Sequence, residues 1–449
     1  MGENRRNIFS YANNISKISI AIVHIKNFMK SLFYSSSLWT VIGSGCNKLI
    51  SMIFVYIIVK SLSVQDFGTF CAFSSNQISF SVLASFGLPV IIYNLQRRHS
   101  DSRSKISRAT IAAFEVLIVS NLIALLAILL LSKEISSQLY SRENLITYLP
   151  AGCIYGMSYS ISLFFDAYLR SINKYRECFE NQLLISIFSL LAYCCGVAKG
   201  LSGCILTLMG IGIFSSIIYL KSIDIRIFLK SKAISSSRIK RIIPIIFSRS
   251  IPIWVGTAII PPISTISLNF LISKLPDAST IFALNGVLHY LKQIIFFIPL
   301  SLAGTAQSLL SKSHVNSDLE GNRLFSKYLK ANSVIIVILA PISVAICYLL
   351  PTVLGDKYDY TWPYSIFYVL FSAIATYSIF FSRLLLAQGK FLIELYGQII
   401  FAIPVVALFG ILIYYYNSKY SFTLSYCICS VAQITFFLIY SSLVRRKII

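Results

Sequence analysis

Three basic residues lie inside apolar runs, where charge is hardest to keep: Lys48, Arg249 and Lys292. At 1.5 Å per helical residue, Lys48 sits about 15 Å and Lys292 about 18 Å deep in a membrane-spanning run, and Arg249 about 10–12 Å. A charge near mid-membrane costs at least about 2.5 kcal/mol and is rarely left facing lipid. Lys48 and Lys292 therefore turn inward, to water, a counter-ion or a ligand, whereas Arg249 is near enough to the cytoplasmic end of its run to snorkel out. The acids available as counter-ions, Glu115, Asp166 and Glu180, are few and sit near run ends. An arginine offers a planar fork that matches two oxygens of one phosphate. These types at these depths predict the holding of an anion rather than the making of a bond.

Each deep cation has polar company at helical spacing. Ser44, Asn47, Lys48 and Ser51 follow i, i+3, i+4, i+7, one face of a helix. Asn285, His289, Lys292 and Gln293 form a second stripe. A third holds Tyr155, Tyr159, Ser162, Asp166 and Arg170, and Gln77 with Ser81 makes a shorter one. Lys48, Arg249, Lys292, Asn47, Asn285, His289 and Gln293 are the candidate ligand-binding residues. His289 alone also fits a hydrogen-bonded packing residue. Asp166 is the candidate for carrying a coupling proton, and a solvated ion pair with Arg170 is the other reading of it.

The elements that place these residues are set by composition. Charged residues are 12% of the chain and mean hydropathy is +0.76, whereas about a quarter of an ordinary soluble domain is charged. The solvent is therefore mostly lipid. Twelve runs are long enough to cross a bilayer, at about 38–59, 69–93, 109–131, 146–168, 181–198, 201–220, 242–272, 280–303, 332–351, 363–386, 391–415 and 421–443. The 39 Lys and Arg test that count. Segments on the side of the chain ends hold 29, with Arg383 at the end of the tenth run counted among them, and segments on the other side hold seven. Three lie within runs. Lys and Arg accumulate in cytoplasmic loops, so both termini are expected in the cytoplasm. The net charge of +23 is explained by topology, and nucleic acid is not an expected partner. The predicted fold class is all-α, a polytopic membrane protein.

Domain organisation follows. Residues 1–37 form a cytoplasmic N-terminal segment, with an amphipathic helix over 14–34 lying on the membrane surface. Six spans make a first lobe, 38–220, and six a second, 242–449. Between them 221–241 is a basic connector with seven Lys/Arg. The lobes read as a duplication. LFFDAYLRSINKYRECFENQLL at 163–184 matches IFFSRLLLAQGKFLIELYGQII at 379–400 with a constant offset of 216. Phe164, Phe165, Leu169, Lys174 and Gln182 meet Phe380, Phe381, Leu385, Lys390 and Gln398. Six crossings per lobe give both repeats one orientation, related by an axis along the membrane normal.

Several classes fall away. The ten cysteines lie in or beside apolar runs and read as small buried side chains, not a disulfide framework or zinc site. No phosphate-cradling glycine loop is present. The outward loops are too short for a catalytic domain, so neither an enzyme nor a cofactor is expected.

KSLSVQDFGTFCAF after the first span, ASFGLPVIIYNLQRR at the end of the second, and LAQGK after the tenth resemble polysaccharide transporters. These belong to the MATE-like flippase superfamily, and the resemblance, over about residues 35–445, is nearest to O-antigen flippases. It implies twelve transmembrane helices in two six-helix lobes around a central cavity. It implies a lipid-linked oligosaccharide of lipopolysaccharide synthesis as cargo, a bacterial inner membrane as site, and other polysaccharide assembly proteins as possible partners. An ion-coupled drug exporter of the same superfamily and a non-transport component of polysaccharide assembly are the alternatives.

Overall fold

The computed structural model describes residues 36–92, 103–140, 143–172, 174–223, 244, 251, 254–255, 260–275, 277–316, 318–354, 362–416 and 421–446. The expected interfacial helix over 14–34, most of the basic connector and Arg249 lie outside the described residues.

Among the described residues the chain is all-helical. The first half holds α1 (Ser36–Ser61), α2 (Val64–Ala84), α3 (Arg103–Leu130), the short α4 (Ser132–Leu139), α5 (Leu149–Ser171), α6 (Tyr175–Gly196) and α7 (Gly200–Lys221). The second holds α8 (Ile260–Ser273), α9 (Ala278–Asn316), α10 (Asp318–Leu354), α11 (Trp362–Gln388), α12 (Phe391–Tyr416) and α13 (Ser421–Arg446). Each of the twelve expected crossings coincides with one of these helices, the seventh described only over α8. Seven apolar stretches are long enough to span a membrane, and one, Tyr175–Lys221, contains two helices. The short α4 is an extra element between the third and fourth crossings.

Lipid as solvent decides which faces point where. Val119, Leu122, Ile123 and Leu126 of α3 are exposed, as are Val337, Ile338 and Ile342 of α10 and Ile403, Ile411, Tyr414 and Tyr415 of α12. Serine and threonine instead turn inward and donate to a carbonyl one turn back, as Ser79 Oγ does to the Ser75 carbonyl oxygen at 2.8 Å and Ser186 Oγ to that of Gln182 at 2.7 Å. This settles how Ser-rich helices survive in an apolar medium.

Matched positions of the two hairpins read as a repeat are packed alike. Phe164, Phe165 and Leu169 lie buried in one satellite core, and Phe380, Phe381 and Leu385 in another. The turns between the paired helices are made alike. Lys174 N donates to the Leu169 carbonyl and Lys390 N to the Leu385 carbonyl, both at 2.9 Å.

The central helix is α9. It packs on α10 and α11 within its own half and on α1 and α2 of the other. Away from the basic face the halves meet closely. A side chain at Gly68 of α2 would place its Cβ 1.9 Å from the Ser279 carbonyl oxygen of α9, so only glycine permits this approach. Nearby, Ser273 Oγ donates to the Gln138 carbonyl of α4 at 2.5 Å, and Lys274 Nζ donates to Gln138 Oε1. Deeper in, Asn269 Nδ2 of α8 donates to Ser75 Oγ at 3.0 Å and to Asn76 Oδ1 at 2.7 Å. Asn269→Leu would leave the fully buried Asn76 without its cross-half donor, at about 1–3 kcal/mol. A lowered melting temperature of the purified protein is the expected result, and an unchanged melt would refute it.

Candidate functional site

The polar stripes of α1 and α9 face each other across the junction of the halves. The two helices pack on each other, and a Cβ at Gly45 would lie at ordinary contact distance, 3.5 Å, from Cε2 of Phe297. On α1, Ser51 Oγ donates to the Asn47 carbonyl oxygen at 2.7 Å, holding the hydroxyl on the stripe. Asn47 and Lys48 are half-buried.

On α9, Gln293 Nε2 lies 3.0 Å from His289 Nε2. One turn N-terminal, Asn285 Oδ1 is buried with no hydrogen-bond partner. His289 is exposed although its helix is packed on five others. An exposed polar ring on the most enclosed helix marks a wet cleft rather than a lipid-facing surface. The charges of Lys292 and Lys48 both act on that ring. Cations from both halves therefore lie near enough to this histidine for their charges to be felt there.

Lys292 is held by aromatic rings. Its Nζ lies 4.6 Å from the Tyr426 ring centroid and 4.9 Å from that of Phe296. A cation over a ring face gains about 0.5–2 kcal/mol, more when desolvated. This contact holds the ammonium in place without neutralising it, so the charge stays available to an anion. Tyr290, beside His289, meets Phe54 of α1 edge-on at 6.4 Å, and Phe54 stacks on Tyr193 at 4.8 Å. These rings link α9, α1 and α6 within the hydrophobic core between the helices.

Of the residues singled out by sequence, Lys48, Asn47, Asn285, His289, Lys292 and Gln293 lie on these two facing helices. Arg249 lies outside the described residues. The stripe of α5 goes elsewhere: it packs on α7 inside the first half. Ser162 Oγ lies 2.5 Å from Ser215 Oγ, and Ser216 Oγ donates to the Ser158 carbonyl at 3.0 Å. Asp166 accepts from Arg170 Nε at 2.6 Å, from Tyr219 OH at 3.0 Å and from Gln182 Nε2 at 3.3 Å. Of the two readings of Asp166, the structure displays the ion pair with Arg170, partly buried at 19% and 14% side-chain exposure. Gln77 is fully buried against Gly152, away from the cleft. The sequence does not single out Tyr426, Phe296 or Tyr193. Aromatic residues are so common in these helices that only their packing distinguishes one from another. Among the described residues, no cluster of three or more His, Cys, Asp or Glu side chains could hold a metal ion.

No protein-family model and no curated protein matches the sequence. Solved structures do match the fold. An inward-facing multidrug resistance MATE-family transporter of the MOP superfamily superposes with a TM-score of 0.66 at 13% identity, covering 93% of this chain and 96% of that one. An outward-facing structure of a transporter of that description gives 0.64 at 12% identity, over 90% and 94%. A MOP-superfamily transporter from Pyrococcus furiosus, whose reverse polarity of binding pocket suggests a different function, gives 0.66 at 14% identity, over 91% and 94%. The similarity runs nearly the full length of every chain compared, at identities where only the arrangement of helices is shared. The chain has the fold of the MATE transporters.

Proposed function

We propose that the chain is a flippase that moves a polyprenyl-diphosphate-linked oligosaccharide, such as an O-antigen repeat unit, between membrane leaflets by alternating access. What supports this reading is that Lys48 and Lys292, on helices from different halves that pack together, both bring their charge near the exposed His289. A cleft holding two cations suits a diphosphate, while the amides of Asn47, Asn285 and Gln293 suit sugar hydroxyls. The prenyl chain stays in lipid, alongside the exposed apolar faces. The halves 38–220 and 242–449 are the rocking units, and 221–241 is the tether between them. The basic face is the cytoplasmic one, in a bacterial inner membrane. A multidrug exporter would call for carboxylates facing the cleft, where this chain presents ammonium groups.

The test is reconstitution into liposomes and comparison of two glycolipids that differ only in their phosphates. The diphosphate-linked oligosaccharide is expected to flip. The neutral lipid of equal sugar and chain length is expected to flip at least tenfold more slowly. Equal rates for the two would overturn the anion-binding reading.

A further inference from the structure

The two repeats carry one carboxylate cluster each, and only one of them brings its own cation. In the first repeat, Asp166 of α5 accepts from Gln182 of α6 and is paired with Arg170. In the second, the same offset of 216 puts Ser382 at the place of Asp166, and Gln398 at that of Gln182. The acid has moved across the helix pair, because Glu394 stands where the first repeat has Cys178. Glu394 Oε1 accepts from Ser382 Oγ at 3.1 Å and from Gln398 Nε2 at 2.9 Å. The Ser382 bond crosses its hairpin as the Gln182–Asp166 bond does in the first half, with the acid now on the second helix, whereas the Gln398 bond stays within α12. The residue matching Arg170 is Leu386, and the one matching Tyr219 is Thr435. Glu394 is 1% exposed, and its Oε2 is buried with no partner.

A buried carboxylate requires a cation beside it, since leaving it ionised and unpaired is strongly unfavourable. The surroundings supply no direct one among the described residues. The helices packed on α12 are chiefly α8, α11 and α13. α8 contains no charged residue, α11 contains Arg383, and α13 contains Arg445 and Arg446 at its end. Arg383 is close enough for its charge to be felt, but its Nη1 donates to Gln307 Oε1 at 3.0 Å. The cation for Oε2 therefore has to come from solution. A metal ion is disfavoured because, among the described residues, no cluster of three or more His, Cys, Asp or Glu side chains could hold one.

We propose that Glu394 is the proton-binding carboxylate of this protein, and that a proton joins and leaves Oε2 as the halves rock. No bond other than O–H is made or broken, and the proton passes to water when the site opens. Asp166, with Arg170 as its permanent counter-ion, keeps its hairpin closed in both states. The coupling role rests on the transport reading above, whereas the proton site itself does not.

The experiment separates the two. Acid-minus-alkaline infrared difference spectra are recorded on the full chain in lipid nanodiscs. The wild type is expected to show a protonated-carboxyl band that E394Q loses and D166N retains. E394D should keep the band at a shifted position, which guards against a folding defect in the glutamine variant. A band unchanged in E394Q would overturn the proposal. In liposomes, an imposed pH gradient is expected to accelerate cargo flipping by the wild type and not by E394Q, and equal acceleration in both would overturn the coupling role. A wild type that flips no cargo, yet loses its band in E394Q, would refute the transport reading and leave the proton site standing.

Discussion

Cells carrying Lys48→Ala and Lys292→Ala together are expected to display no lipid-linked polysaccharide at their surface, while the protein accumulates at its normal level. The two parts of this result have separate physical causes. Each ammonium contributes one charge-assisted contact to a diphosphate, at about 1.5–3 kcal/mol apiece. Losing both removes roughly 3–6 kcal/mol, or about two to four orders of magnitude in affinity. Abundance is unaffected because neither lysine holds the fold together. Neither is in an ion pair within 4.0 Å among the described residues. Lys292 is secured by the Tyr426 and Phe296 rings, which remain. Deleting a charge at mid-membrane removes an insertion cost of at least about 2.5 kcal/mol. Surface polysaccharide and membrane protein are read on the same cells by immunoblot. Wild-type polysaccharide in the double variant would refute the cation site. Lost protein would show that the lysines are structural.

A second large effect is expected at the seam between halves. Gly68→Val would force side-chain atoms onto the Ser279 carbonyl, where even a Cβ stands at 1.9 Å. Backbone cannot yield as a flexible side-chain tip does. Overpacking of this kind costs typically about 1–3 kcal/mol. The strain falls on the closed arrangement and not on an open one, so α2 and α9 part at the face away from the basic loops. Cys71, one turn along α2, reports this. In the closed seam a Cβ at Gly286 would lie 2.4 Å from its sulfur, so the thiol faces α9 directly. In a protein whose sole cysteine is Cys71, a membrane-impermeant maleimide should label the valine variant severalfold faster than the parent. The predicted side is the outer one. Equal labelling rates, with an unchanged melt, would mean that the seam does not hold the halves together.

The helical, membrane-spanning character of the chain is legible in the sequence. A long apolar run in a charge-poor chain has one stable form in lipid, a helix that satisfies its own backbone. The stripes on the first and eighth spans are legible for a similar reason. Helical spacing fixes which residues share a face, and Lys48 and Lys292 are too costly to turn outward. The duplication is visible too, since Lys174 and Lys390 sit in register and make the same turn.

Which stripes meet is decided by packing alone. The stripes of α1, α5 and α9 look alike in sequence, yet α5 spends its polar face on α7, through Ser162–Ser215 and Asp166–Tyr219. Spacing gives the direction of a side chain relative to its own axis. It carries no information on the rotation of one helix against another, which depends on close approaches such as Gly68 to Ser279. The same holds for Glu394. Its place in the first turn of α12, four residues past a lysine, resembles a solvated surface acid, and only the wrapping of α8, α11 and α13 makes it a buried carboxylate with an unmatched oxygen. Sequence by itself determined a twelve-span membrane protein with deep cations, because the solvent dictates that much. The tertiary structure decided which cations share a cleft and which acid lacks a counter-ion, because both depend on contacts between residues far apart in the chain.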